Sequence, residues 1–186
     1  VAFCNKSPAF NAHAIAASIH SVFGGRAKFE DLEKVHGPAG KISHINAYSD
    51  EIHVYYTFLG KSPAAPSGES EIVFKRTSDG PVAYHERIDL VSGKGHGPPL
   101  ILASLRAYEK MGVKSVKLTA GLEVGRYFWA KLGWQFDHQD TASKLEPAYN
   151  AWLRRDGYEG PHVKVTTPQD IADHEYDGEK AGKQFM

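Results

Sequence analysis

A glycine-rich segment, Gly93-Lys94-Gly95-His96-Gly97, lies between a predicted strand and a predicted helix. Glycines let the backbone turn tightly and approach a ligand, and the free amides at a helix N-terminus attract anions. Pro98 and Pro99 suit the first turn of the helix, although each removes one amide donor there. The pattern predicts a loop that binds a phosphate or pyrophosphate. The alternative is a structural turn that only needs positive backbone angles.

Two common phosphate-binding motifs do not fit this segment. A nucleotide-binding P-loop requires Gly-x-x-x-x-Gly-Lys-Ser/Thr, and the sequence contains no such string. A dinucleotide-binding Rossmann loop follows the first strand of a parallel sheet, whereas this loop follows several strands of hairpin type. The phosphate-binding prediction therefore needs a different fold.

The elements around the loop follow from periodicity and composition. Helices are predicted at 11–23, 29–35, 99–111, 123–132 and 147–155, with a further helix start at 167–170; strands are predicted at 42–48, 52–59, 71–76, 82–90, 113–119 and 134–137. Short turns between the early strands predict antiparallel pairing, and the later strand-helix alternation predicts parallel or mixed pairing. The predicted fold class is α/β (α+β), with a mixed, mainly antiparallel sheet flanked by helices.

Three details of this assignment concern single helices and the tail. The helix at 99–111 is predicted to bury a stripe formed by Leu102, Leu105 and Tyr108. The helix at 147–155 is predicted to begin at Pro147, because proline suits a first turn. Beyond residue 173 the chain is polar, which predicts a loose tail.

The order of elements and two motifs resemble the GNAT acetyltransferase superfamily. Gly95-His96-Gly97 matches the end of its pyrophosphate loop, Arg/Gln-x-x-Gly-x-Gly/Ala, and Gly93-Lys94 agree with the Arg-Gly-x-Gly-x-Gly form of that loop. Trp-Ala-Lys-Leu-Gly-Trp at 129–134 is similar to its Tyr-x-Lys-Leu-Gly-Phe signature. The resemblance is specific over about residues 82–137. It implies a GNAT-like fold, acetyl-CoA as co-substrate without a metal, and direct attack of an amine on the thioester.

The resemblance also implies roles for individual residues. The cofactor-binding set is Leu90, Val91, Gly93, Lys94, Gly95, His96 and Gly97, with the backbone of the first two pairing with the pantetheine arm. Glu86 is the first candidate base, and His85, on the opposite face of the same strand, is the second. Trp129 replaces a tyrosine that commonly protonates the departing thiolate, and Ser92 replaces an Arg or Gln. The acid is therefore Tyr127, another group or water. The alternative for Tyr127 is a place in an aromatic core stripe.

Charge and cysteine content limit the partners and the compartment. The 186 residues contain 22 Lys plus Arg and 22 Asp plus Glu, and the pI is about 7.3. A balanced charge supplies no long-range field for nucleic acids or anionic membranes. The single cysteine, Cys4, cannot form an internal disulfide, and no apolar run approaches a membrane span. We therefore expect a cytoplasmic protein with no membrane or nucleic-acid partner.

The expected organisation is a single domain over residues 1–186, with a helical part at 11–36, a core at 41–137 and a C-terminal extension at 141–186. The first residue, Val1, suggests a domain excised from a longer protein, such as a delivered effector or toxin. His13 and His20 are seven positions apart, about 10 Å along a helix, which is too far for a shared metal ion.

Two functions remain open at this stage. The first is transfer of an acetyl group to a small-molecule amine or to a protein or other macromolecular acceptor. The alternative is a catalytically inactive GNAT-like module for binding or assembly, as in phage structural, effector or toxin-associated domains. Trp129 and the two prolines after the glycine loop favour this alternative.

Overall fold

The computed structural model describes residues 8–58, 68–90, 97–119 and 123–186. The chain divides into two compact units, Val1–Thr119 and Ala120–Met186. The expectation of a single domain over residues 1–186 stays a prediction.

The first unit is built around a five-stranded sheet. Its elements are α1 (Pro8–Phe23), α2 (Phe29–Glu33), a short 3-10 turn (Gly37–Ala39), β1 (Gly40–Ala47), β2 (Glu51–Phe58), β3 (Gly68–Thr77), β4 (Gly80–Leu90), α3 (Gly97–Met111) and β5 (Ser115–Leu118). The strands lie in the order β1-β2-β3-β4-β5. The first four pair antiparallel, and β5 pairs parallel to β4. A mixed, mainly antiparallel sheet with flanking helices confirms the predicted fold class.

The alternation of side chains in the strands explains where the core forms. Along β2, every second residue is buried, and the residues between them are half-exposed. The buried face of the sheet packs against apolar side chains of α1 and α3. Its members include Ile19, Val22 and Phe23 of α1, Ile52 and Val54 of β2, Ile72 and Phe74 of β3, and Tyr108 and Met111 of α3. One continuous apolar layer thus packs α3 against the sheet. α3 is the helix that follows the glycine-rich segment.

The second unit is mainly helical. It contains α4 (Glu123–Lys131), α5 (Gln139–Arg155), α6 (Pro168–Asp173), β6 (Glu175–Tyr176), β7 (Glu179–Lys180) and α7 (Ala181–Phe185). Tyr149 and Leu153 of α5 pack with Val165, Ile171 and Ala181 in its core. No helix in the described parts of either unit combines the length and apolar character needed to cross a membrane.

The structure corrects the predicted start of α5. The helix begins at Gln139, and Pro147 lies inside it. Proline cannot donate the helical hydrogen bond to the carbonyl of residue 143. Pro147 and Ser143 are both exposed, so water can satisfy that carbonyl. Burial of Tyr149 and Leu153 then outweighs the lost hydrogen bond.

Two further predictions for the C-terminal part are wrong. No strand forms at 134–137, because the amide of Trp134 instead donates to the carbonyl of Trp129 in the turn that ends α4. The chain beyond residue 173 is ordered as the β6–β7 hairpin and α7, which bury Ala181. The predicted helix start at 167–170 is confirmed, with Thr167 as the N-cap of α6.

Candidate functional site

Among the described residues, β4 has a neighbouring strand on both sides only in its first half. β5 pairs with it from Val82 opposite Ser115 to His85 opposite Leu118, and then ends. β4 continues to Leu90, and within the described ranges only β3 pairs with this second half. The backbone N–H and C=O groups on the outer side of residues 86–90 can therefore accept an extended ligand as an added strand.

A β-bulge marks the point where β4 and β5 separate. In β3, Ile72 lies opposite His85, and the adjacent Glu71 lies opposite Arg87. Glu86 is therefore an extra residue without a partner in β3. Bulges bend and twist a strand, and they are common next to functional sites. Here the bulge presents the Glu86 carboxylate to solvent at the start of the open edge.

His85 lies on the buried face of β4, under α3. Its side chain is 5% exposed, and its Nε2 is 2.7 Å from the hydroxyl oxygen of Tyr108. Its Nδ1 is also buried, and no group of the described residues forms a hydrogen bond with it. Burial lowers the pKa of His85 to about 4, because the charged ring would lose its hydration. His85 is therefore neutral at pH 7 and a weak base.

A second buried histidine, His36, joins α3 to β3. Its Nδ1 is 3.0 Å from Ser104 Oγ, and its Nε2 is 3.1 Å from Ser70 Oγ. The Ser104 hydroxyl donates to the carbonyl of Leu100, so it accepts from His36 Nδ1–H, and Nε2 accepts from Ser70. Both ring nitrogens are satisfied in the neutral form, and burial lowers the pKa of His36 to about 3.

The remaining predicted cofactor-binding residues are placed only in part. Leu90 is the last residue of β4 and pairs with Gly68, and Gly97 is the first residue of α3. The other five members of the predicted cofactor-binding set lie outside the described residues: Val91, Gly93, Lys94, Gly95 and His96. Glu86, His85 and Leu90 thus lie on one strand that leads towards α3. Their roles stay predictions.

The predicted acid lies in the second unit. Tyr127 is half-buried on α4. Trp129 packs edge-on against Phe128 and Trp134, with ring centroids 5.1 and 5.2 Å apart. Trp129 therefore has a packing role within its own unit. The role of Tyr127 as an acid stays a prediction.

Sequence reasoning missed the polar residues around the two buried histidines. The predicted stripe of α3 is wrong at Leu102 and Leu105, which are 50% and 43% exposed. The buried face instead contains Leu100, Ile101, Ser104, Tyr108 and Met111. Ser104 and Tyr108 follow Leu100 at steps of four, and this spacing is the signal that places polar groups on the buried face.

An open cavity of about 910 Å³ lies at the other end of β4. It is bordered by the C-terminal end of α1 and by the β3–β4 turn, and its lining carries both signs of charge: Arg26, Arg76, Lys114, Asp50 and Asp79. None of the predicted site residues that the structure describes lines it. It is therefore separate from the candidate site on β4.

Comparisons with known proteins match the chain only at the level of structure. No protein-family model matches the sequence, and no curated protein is significantly similar to it. Similar solved structures include a probable acetyltransferase, at 13% identity and a TM-score of 0.40, and glucosamine-6-phosphate N-acetyltransferase from Arabidopsis thaliana, at 15% identity and a TM-score of 0.39. Both matches cover 46% of this chain and 62% of the other chain.

A third similar structure is an acetyltransferase from Trypanosoma brucei. It is 17% identical, with a TM-score of 0.40, and the match covers 68% of this chain and 89% of that chain. The sequence resembles the same class of protein as these three structures. The chain spans less than two thirds of the length of the first two.

Proposed function

We propose that the protein transfers an acetyl group from acetyl-CoA to an amine. The observation that carries this proposal is the early end of β5, which leaves the outer edge of β4 residues 86–90 without a neighbouring strand in the described part of the chain. A pantetheine arm contains two amide groups and can pair with such an edge. The N-terminus of α3 and the glycine-rich segment before it suit the pyrophosphate of CoA.

The groups on β4 support a direct attack by the amine. Glu86 is exposed at the bulge, beside the free edge, and is the proposed base for the amine proton, acting through water. Burial makes His85 the weaker base. The acceptor is a small-molecule amine or an amine of a macromolecule, and Tyr127 remains the proposed acid for the leaving thiolate.

Binding of acetyl-CoA is tested by thermal unfolding. A ligand that binds only the folded state raises the unfolding midpoint by an amount set by its concentration relative to Kd. Gly95→Asp should abolish the rise, because its carboxylate would repel the pyrophosphate. Ser78→Asp is the matched control, since it adds the same charge at the exposed β3–β4 turn. No rise at millimolar acetyl-CoA, or an equal rise in Gly95→Asp, would exclude the cofactor assignment.

A second candidate function is CoA binding without transfer. Trp129 favours this second function, because an indole in place of tyrosine cannot protonate a thiolate at neutral pH. Its ring packs between Phe128 and Trp134 instead. Thiol release with small amines and with lysine-containing proteins separates the two candidates. Release that depends on Glu86 supports transfer, and saturable binding without release supports the binding module. Glu86→Gln at full rate across pH would exclude Glu86 as the base.

A further inference from the structure

An unused hydrogen-bonding group is buried where β4 and β5 separate. His85 is the last residue of β4 that pairs with β5, and it is 5% exposed. Its Nε2 has Tyr108 as a partner, whereas its Nδ1 has none among the residues that the structure describes. Buried polar atoms rarely lack a partner, because they lose their hydration and gain nothing in return. The described residues therefore leave this nitrogen open to a hydrogen bond with a ligand.

The neighbouring histidine, His36, shows that the missing hydrogen-bond partner is specific to His85. The ring centroid of His36 lies 6.5 Å from that of His85, and His36 is equally buried. Ser104 and Ser70 satisfy both of its ring nitrogens. The same core thus supplies every partner for one histidine and leaves one nitrogen of the other unpaired. The unpaired nitrogen belongs to the histidine that directly precedes the open edge of β4.

Tyr108 decides which nitrogen of His85 carries the proton. A phenol hydroxyl is a stronger donor than acceptor, and an unprotonated imidazole nitrogen is a strong acceptor, so Tyr108 donates to Nε2. In a neutral ring the proton then lies on Nδ1. Burial keeps the ring neutral by lowering the pKa of His85 to about 4. The unpaired group is therefore an N–H donor, which suits a carbonyl oxygen.

We propose that His85 Nδ1–H donates a hydrogen bond to the carbonyl oxygen of the acyl thioester. This inference rests on the proposed function. As the amine nitrogen bonds to the carbonyl carbon, the carbonyl π electrons move to the oxygen, and Nδ1–H stabilises the negative charge formed there. The C–S bond then breaks and the carbonyl re-forms. The CoA thiolate leaves with the electron pair and receives a proton from the proposed acid, Tyr127, while Glu86 takes the proton that the amine loses.

His85 keeps its own proton throughout this sequence. A neutral imidazole can polarise a carbonyl as a hydrogen-bond donor, and its neutrality prevents transfer of the proton to the product. This role differs from that of Glu86, which takes the amine proton. The two residues are adjacent on β4, and the bulge gives them different environments, one exposed and one buried.

Two amide variants separate the proposed role from a structural one. His85→Asn places an N–H near the position of Nδ1, and His85→Gln retains only an acceptor for Tyr108 near the position of Nε2. We expect His85→Gln to lower kcat by about 100-fold, the usual loss for one oxyanion donor. His85→Asn should retain kcat to within about tenfold, and both should bind acetyl-CoA as the wild type does. Full activity in His85→Gln, or equal losses in the two variants, would overturn the proposal.

Nuclear magnetic resonance of the wild-type protein tests the contact itself. With ¹⁵N-labelled histidine, the Nδ1–H signal of His85 should move downfield on saturation with acetyl-CoA. An unchanged signal, in a sample whose unfolding midpoint shows saturation, would overturn the His85 proposal and leave acetyl-CoA binding intact. If the midpoint does not rise, the proposed function fails first, and the His85 proposal fails with it.

Discussion

His36 is the residue whose hydrogen bonds connect two elements of the first unit, β3 and α3. Its ring bonds to Ser70 of β3 and to Ser104 of α3, and it is 1% exposed. Polar groups in this position stabilise a fold only when every partner is present. We therefore expect the hydrogen bonds of His36 with Ser70 and Ser104 to contribute to the stability of the fold.

Replacing His36 with leucine should leave the Ser70 hydroxyl buried without its partner. We expect the free energy of unfolding to fall by about 2 kcal/mol in a urea titration. The double variant His36→Leu/Ser70→Ala removes the unpaired hydroxyl, so it should recover about 1 kcal/mol. Equal stability of the single and double variants would show that the network contributes nothing beyond packing.

The two buried histidines also predict how stability depends on pH. The pKa of His36 is lowered to about 3 and that of His85 to about 4, from 6.5 in the unfolded chain. Below pH 6.5 the unfolded state binds protons that the folded state does not. The stabilisation is therefore fully present above about pH 6.5 and is lost as the pH falls towards 4, at up to about 1.4 kcal/mol per pH unit for each histidine.

Urea titrations between pH 7 and pH 5 measure this slope. His36→Leu removes one of the groups whose pKa is lowered in the folded state, so its slope should be smaller than that of the wild type. A wild-type free energy of unfolding that does not change over this range would contradict the burial of both rings in neutral form.

Among the elements, α7 depends on a close approach to α6. A Cβ atom at Gly182 would overlap the backbone carbonyl of Ile171. Gly182→Ala should therefore move α7 away from α6 and lower the free energy of unfolding by about 2–3 kcal/mol. Lys183→Ala, at the next and exposed position of α7, is the matched control and should change stability little. Hydrogen exchange of the α6 and α7 amides measures the effect, and unchanged protection in Gly182→Ala would contradict it.

The elements show how far local pattern predicts structure. The four antiparallel strands were predictable because β-branched and aromatic residues alternate between short turns, and pairing across short turns is local. The start of α5 was not predictable, because proline normally favours a first turn. Tertiary burial of Tyr149 and Leu153 decides that Pro147 lies inside a longer helix.

On the scale of the whole molecule, the balanced charge predicts weak dependence on salt. With 22 basic and 22 acidic residues, no long-range field gathers a polyanionic ligand. We expect the Kd for acetyl-CoA to rise by less than about tenfold between about 50 and 500 mM NaCl, because only local charges contribute. Titration calorimetry at the two concentrations measures it. Lys94→Gln should weaken acetyl-CoA binding and make the Kd depend even less on salt. A steep loss of wild-type affinity with salt would contradict the prediction and show that a larger basic surface contributes.

Local sequence patterns were enough to predict the class of the sheet, the order of most elements in the first unit, and a glycine-rich segment before α3. These depend on neighbouring residues, whose spacing and turn chemistry act locally. Three features depend on long-range packing: the point where β5 ends beside β4, the bulge at Glu86, and the His85 nitrogen that has no partner among the described residues. His36 and Ser104 lie 68 positions apart, and His85 and Tyr108 lie 23 apart. Contacts at such separations form only when packing closes the core, so no local pattern encodes which polar atom is left without a partner.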